Sequence, residues 1–227
     1  MTSSDVVAPS HMPALAQDAP SAEKPRRGRP PKNRADSDEG NRRRQVIEGA
    51  ARLFRAKGFD GTSTRDIAAA AGMRSGSPFY HFESKKALLY VVMEEGMAQA
   101  AESQALALAA LPAQATPREC LRALVRHQFE VLLGPHSDFI PVMLYEWRSL
   151  TPEQRTDISR IKDGYEAVWV PVLEALHASG TLKADPTTAR LFIFGALNWS
   201  AQWFSARGAL SLDELTEELL ALFVGDA

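Results

Sequence analysis

TSTRDIAAAAGMRSGSPFYHFESKKALL, residues 62–89, decides the fold. It reads as two short helices joined by a tight turn, with a third helix starting behind them. Thr62, Ser63 and Thr64 can each cap the first helix, because a hydroxyl oxygen accepts one of the orphan backbone N–H groups. Asp66 puts a negative charge in the first turn, where it suits the helix dipole. Ile67, Ala70 and Ala71 recur at the spacing of one buried stripe. Gly72 ends the helix, since glycine takes the left-handed cap without a Cβ clash. The next helix starts within Arg74–Ser77. Pro78 is tolerated only in a first turn, and Ser75 as the cap places it there. Ser75, Gly76 and Ser77 then leave small, donor-rich groups at a helix N-terminus, an end that approaches phosphates and base edges. Phe79 and Phe82 are expected inside. Tyr80 and His81 face the other way, with polar tips in reach of phosphate oxygens. Ser84, Lys85 and Lys86 open the following helix, with Lys85 placed for one more phosphate.

A plain helical hairpin shares this spacing, so charge has to separate the two readings. The chain carries 26 basic and 28 acidic side chains, net −2. Residues 1–40 are neutral, residues 41–92 carry +6 and residues 93–227 carry −8. A basic surface releases condensed counterions when it meets DNA, and an acidic one is repelled. The molecule is expected to meet a duplex with one end only.

Residues 1–40 are too polar and Pro-rich to fold alone and read as a disordered arm. Residues 24–34, KPRRGRPPKNR, hold six bases and no acid. Arg27-Gly28-Arg29-Pro30 within them resembles the core of an AT-hook. Arg27 and Arg29 would then lie in a narrow A·T-rich minor groove. A solvated linker is the competing reading of the same composition.

The remaining chain shows helical periodicity throughout and no alternating strand pattern, so the class is all-α. A first helix opens at Asn41, turns Ile47, Ala50, Leu53 and Phe54 inward and stops at Gly58. A long helix runs from Lys85 to about Ala110. Thr116-Pro117 and Thr151-Pro152 are cap-then-proline starts. The first of these helices carries Leu121, Leu124, Val125, Gln128 and Leu132 and ends at Gly134-Pro135. A short segment, 139–150, separates the two. The second reaches about Ala178, with a kink or restart near Gly164 and Pro171. Asp185-Pro186 opens another helix through Phe204, and Ser211 with Glu214 forms a capping box for the last, ending near Val224. The last two are apolar on several faces: Leu191, Phe192, Phe194, Leu197, Trp199, Trp203 and Phe204. Such helices are buried on several sides, in a monomer core or in a four-helix dimer interface, and a DNA-reading motif favours the dimer.

The same residues exclude other classes. Residues 1–40 hold no apolar stretch of the kind a secretory signal peptide needs, so none is expected, and no run approaches the ~20 apolar residues of a membrane span. The lone Cys120 excludes an internal disulfide, suits a reducing cytoplasm and reads as a small buried hydrophobe. His127, His136 and His177 lack metal-ligand spacing. Gly72-Met-Arg-Ser-Gly76 misses the nucleophile elbow, with Arg in the serine's place. No cofactor or phosphate-loop motif is present. The chain is not expected to be an enzyme or to hold a cofactor or metal.

Over residues 41–92 the chain resembles the TetR family of transcriptional regulators. The match lies in Thr64-Arg65-Asp66-Ile67-Ala68, Ala71-Gly72-Met73, Ser75-Gly76-Ser77, Phe79-Tyr80-His81-Phe82 and Ser84-Lys85. Arg74 stands where a capping Ser is common, and Pro78 where Leu is common. Phe194-Gly195-Ala196-Leu197-Asn198-Trp199 with Trp203-Phe204 is similar to a subgroup that regulates fatty-acid and sterol catabolism. The resemblance implies a DNA head over residues 41–92. It also implies that residues 93–227 form a ligand-binding and dimerisation domain, with the last two helices dimerising.

The expected function is a ligand-released, dimeric repressor of a palindromic operator, working in the cytoplasm. Its effector is a small molecule that the subgroup resemblance tilts toward an acyl-CoA or another apolar compound. The DNA residues are Arg27, Arg29, Thr64, Arg65, Arg74, Ser75, Ser77, Tyr80, His81 and Lys85. Arg74 and Ser77 are assigned to base edges, and Tyr80 and His81 to phosphates. Phe129, Met143, Trp147, Tyr165, Trp169 and Asn198 are candidates to line an effector cavity. The alternative is an architectural A·T-rich DNA binder whose C-terminal domain only dimerises. Each of the six bases in residues 24–34 displaces about one counterion if the arm touches DNA. Deleting residues 1–40 is expected to weaken binding and flatten the slope of log K against log salt, while the preferred palindrome is kept. An unchanged slope would show that the arm never meets the duplex.

Overall fold

Nine α-helices are present among the described residues of the computed structural model, and no strand. Those residues are 32–73, 80–135, 137–205, 207–208 and 210–225. Helix α1 (Lys32–Lys57) begins nine residues before Asn41, inside the segment read as arm. No proline follows Pro31 until Pro78, and the helix carries Gly40 and Gly49 within it before Gly58 ends it. A truncation that preserves α1 therefore ends at residue 31.

Helix α2 (Thr64–Ala70) is capped by Ser63, not by either threonine. Ser63 Oγ accepts from Asp66 N–H at 3.1 Å, and the Asp66 carboxylate accepts from Ser63 N–H at 3.0 Å. These Ser63 bonds hold the Asp66 carboxyl below the usual carboxylate range. Thr62 closes the α1–α2 turn instead, its hydroxyl donating to Gly58 O at 2.8 Å. Gly72 follows with φ +65°, the left-handed turn expected of it.

The long helix α3 (Lys85–Ala109) starts at the Ser84 cap. Helix α4 (Pro117–Leu133) starts at a Thr116/Glu119 capping box. Helix α5 (Phe139–Glu146) runs into a 3-10 turn, Trp147–Ser149. Helix α6 (Pro152–Ala167) starts at a Thr151/Gln154 box. The chain breaks at Val168-Trp169 and resumes as α7 (Val170–Ala178). The missing N–H of Pro171, not Gly164, accounts for the break. Helices α8 (Pro186–Trp203) and α9 (Leu212–Phe223) begin at Asp185 and at the Ser211/Glu214 box.

Val46, Ile47, Ala50, Phe54, Ile67, Phe82 and Leu88 form the buried centre of the N-terminal head. Helix α3 packs against α1 there and then against α4, α5 and α6; α4 in turn packs against α7, α8 and α9. Gly96 lets α3 and α5 meet. A Cβ there would lie 2.5 Å from Phe139 Cβ, well inside any tolerable contact.

Helix α5 is fastened at both ends to α1 and the turn that follows it. Arg55 Nη1 donates to Ser137 O at 3.1 Å and Ser137 Oγ at 3.0 Å, and pairs with Asp138 at 3.2 Å. At the other end Glu146 Oε1 accepts from Phe59 N–H at 2.9 Å. On the far side Arg122–Glu217 and Arg126–Asp213, both at 2.5 Å, tie α9 to α4. These last pairs are exposed and fix register more than stability.

Two expectations change. Leu197 is wholly buried within the protomer, so it belongs to the core and not to an intersubunit face. Cys120 is partly exposed on α4 and not a buried hydrophobe. No described helix is long and apolar enough to cross a membrane.

Candidate nucleic-acid interface and ligand cavity

The head presents its cations outward. Arg42, Arg44, Arg52, Arg65 and Lys86 are exposed, and none has a carboxylate within 4 Å among the described residues. Arg43 is committed instead: it pairs with Glu95 at 2.6 Å and lies over the Phe82 ring. Thr64 and Arg65 sit exposed on the first turn of α2. Tyr80 is 83% exposed, a large aromatic left in solvent, and the partly buried His81 ring stands edge-on to it at 5.3 Å. Phe82 is buried behind them, as its spacing predicts. Arg27, Arg29, Arg74, Ser75, Ser77 and Phe79 lie outside the described residues.

Lys85 differs from its expected role as a free phosphate contact. Its ammonium donates to Phe59 O at 2.8 Å and Thr62 O at 2.9 Å, above the Phe59 ring. It staples the start of α3 to the α1–α2 turn. Of three ammonium hydrogens, one is left for a phosphate. The sequence carried no sign of this staple, because both acceptors are backbone carbonyls more than twenty residues away.

A cavity of about 210 Å³ lies between α3, α4, α5, α6 and α8. Met143, Tyr165 and Asn198 line it, three of the six expected residues. The other three lie elsewhere. Trp169 is fully buried behind the cavity wall, its ring 4.7 Å from Phe194. Phe129 faces a separate apolar hollow between α4, α8 and α9. Trp147 packs at the edge of the core. Aromatic residues on apolar faces served as core, and their spacing alone could not distinguish core from cavity.

The cavity residues missed from the sequence are chiefly polar or aliphatic: Met97, Gln128, Ile140, Lys162, Glu166 and Phe194. Gln128 left a signal, since it interrupts the apolar stripe of α4. Its Oε1 accepts from the Tyr165 hydroxyl at 2.5 Å. Burial pushes the Tyr165 phenol up, so it remains a donor. His127 Nε2 bonds Ser103 Oγ at 2.7 Å, and burial holds its imidazole below the ordinary value. Gln104, oriented to satisfy both ends, donates to Tyr165 O at 3.2 Å and accepts from Trp169 Nε1–H at 2.9 Å. Glu166 is buried between Lys162, at 2.9 Å, and Arg190. A second hollow of about 240 Å³, lined by Gly96, Ser103 and Phe139, lies across Val131 and Ile140, which border both. The Ser103–His127 contact has no carboxylate behind the imidazole, whose Nδ1 faces the Tyr165 hydroxyl at 3.4 Å, and the described residues hold no metal set. The cavity is a mostly apolar chamber with a few convergent polar groups, the usual form of a small-molecule site.

Comparison with known proteins finds matches over both the head and the C-terminal segment. Residues 46–91 match the model described as "Bacterial regulatory proteins, tetR family". Residues 114–226 match "Tetracyclin repressor-like, C-terminal domain". The chain is 28% identical over 197 residues to the HTH-type transcriptional repressor KstR2 of Rhodococcus jostii (strain RHA1), covering 85% of this chain and 94% of that protein. Among solved structures, AibR in complex with isovaleryl coenzyme A and operator DNA is 28% identical, with a TM-score of 0.73 over 80% of this chain and 97% of that one. The structure of the superantigen PfiT is 38% identical, with a TM-score of 0.69 over 82% and 97% of the two chains.

The head makes separable predictions. Lys85→Met removes two charge-assisted bonds and is expected to cost about 1.5–3 kcal/mol of stability, read by urea unfolding. Tyr80→Phe is expected to leave stability unchanged and to weaken binding to all DNA sequences alike, read by binding-site selection at fixed salt. A changed motif for Tyr80→Phe would put Tyr80 on a base edge.

Proposed function

The chain belongs to the TetR family of bacterial transcriptional regulators, and from that premise we propose that it is a dimeric repressor released from a palindromic operator by a small apolar or acyl-CoA-like molecule. The family consists of DNA-binding regulators and not of enzymes. The observation that carries the reading is the juxtaposition of cavity and head. Ile140, Met143 and Leu144 of α5 line the chamber, while Arg55 and Phe59 of the head hold both ends of that helix. A ligand that moves α5 moves the attachment of the head. An architectural binder without ligand control has no use for such a chamber.

Dimerisation is supported by α8. Leu191, Phe192, Trp199 and Trp203 are all more than half exposed. Apolar patches of this kind mark association surfaces. Two copies joined there would present two heads to two half-sites, as helix-turn-helix dimers do. The DNA residues are the expected set, with Thr64, Arg65, Tyr80 and His81 on the described surface and Lys85 in a mixed role. The work is done where the DNA is, in the cytoplasm. AibR, crystallised with isovaleryl coenzyme A and operator DNA, supplies a first probe.

Selection of bound duplexes from a random pool is expected to return a palindrome. Isovaleryl-CoA or a related thioester is expected to weaken binding to it in an anisotropy titration. Trp199→Glu with Trp203→Glu is expected to give a monomer by light scattering and to lower operator affinity at least 100-fold. A wild-type monomer at micromolar concentration, or selection of A·T-rich DNA without symmetry, would contradict the proposal.

A further inference from the structure

We infer that the cavity reads one carbonyl oxygen on a short apolar chain, and that Gln128 is the residue that reads it. The inference rests on the cavity being the effector site and specifies what that site recognises.

Gln128 is 4% exposed and reaches the chamber from α4. Which end of its amide faces the cavity is fixed by Tyr165. The 2.5 Å contact between the Tyr165 hydroxyl and Gln128 suits O–H···O, whereas N–H···O contacts run longer. The Gln128 oxygen is thus occupied by the phenol. Its Nε2 donates to none of the described residues and turns to the chamber. A ligand that fills the chamber and brings an acceptor keeps this donor bonded, whereas one of the same shape without an acceptor buries it unpartnered, which is costly. This is the condition under which a site discriminates strongly between close analogues.

Tyr165 cannot easily give way. Its backbone carbonyl is held by Gln104, which in turn takes the Trp169 N–H. Tyr165 is therefore a positioning residue, and Gln128 is the contact. Asn198 is the other neutral amide in the chamber; the apolar lining comes from Met97, Val131, Ile140, Met143, Leu144 and Phe194.

Size sets the second limit. About 210 Å³ falls below the roughly 300–1,000 Å³ usual for drug-sized ligands. It admits a short chain and not a long one. The boundary is the wall of Val131 and Ile140, with the second hollow of about 240 Å³ behind it. Ile140 is thus the residue that limits chain length. The acceptor oxygen can belong to a thioester, as a neutral carbonyl, or to a free acid, as a carboxylate; both accept from the same donor.

Calorimetric titration of the full-length protein tests this with four probes. These are isovaleryl-CoA, the thioether analogue with the same chain and no carbonyl, free isovalerate and octanoyl-CoA. The wild type is expected to bind the thioester at least tenfold more tightly than the thioether. Gln128→Met keeps the volume, removes the donor and is expected to abolish that preference, leaving thioether affinity within threefold. Gln128→Glu keeps the shape, reverses the polarity of the free end and is expected to lose the thioester as well. Ile140→Ala is expected to open the wall and shift preference toward octanoyl-CoA. Isovalerate binding with the same dependence on Gln128 would identify the free acid as the source of the carbonyl. A thioester preference that survives Gln128→Met, or its absence in the wild type, overturns the assignment while leaving an effector site in place. Failure of every probe to bind or to release operator DNA would overturn the acyl reading of the cavity together with it.

Discussion

Helix α5 is the joint on which the account depends. It is only eight residues long, yet it touches the head at both ends and the cavity along one face. Arg55 reaches the chain just before it, and Phe59 N–H bonds Glu146 at its last residue. Gly96 brings it hard against α3, so there is little slack on that side. A packed element with no slack transmits a displacement instead of absorbing it. The two attachments are polar and partly exposed. They can break and re-form at modest cost, as a release mechanism requires.

The polar groups around the cavity follow a different logic. Ser103, His127, Tyr165, Gln128, Gln104 and Trp169 form a largely buried chain of polar contacts, joined between His127 and Tyr165 at 3.4 Å, where apolar side chains would pack at least as stably. Among the described residues no fully buried side-chain nitrogen or oxygen lacks a partner. The Gln128 donor is therefore not enclosed by protein but faces the chamber. A network satisfied everywhere except toward a cavity holds its free donor in a fixed direction, and direction gives selectivity. Glu166, held by Lys162 and Arg190, keeps charge at one margin of the same site.

Much of the fold was legible in the sequence because its helix starts are written in local chemistry. Thr116-Pro117, Thr151-Pro152, Asp185-Pro186 and Ser211 with Glu214 each needed only neighbouring residues to be recognised. The start of α1 was not legible in the same way. Its first turns have no comparable cap signal, and a charged, Gly-containing stretch reads as linker. The lining of the candidate cavity was half legible. Tyr165, Met143 and Asn198 border the chamber, but Trp169 and Phe129 were not separable from core residues by type or spacing. Lys85 shows the same limit: a lysine in a basic head invites a phosphate, and only three-dimensional structure reveals the two carbonyls that hold it.

The most direct test of the joint is a comparison of ligand-induced operator release in the wild type and in the double variant Arg55→Ala, Glu146→Ala. Operator affinity is measured by anisotropy with and without saturating isovaleryl-CoA, with ligand binding checked by calorimetry. Allosteric couplings of about 1–3 kcal/mol correspond to roughly 5–150-fold changes in affinity. A change in that range is expected for the wild type. A change of less than about threefold is expected in the variant, which still binds both ligand and DNA. An undiminished ratio in the variant would show that release does not pass through the ends of α5 and would contradict the account.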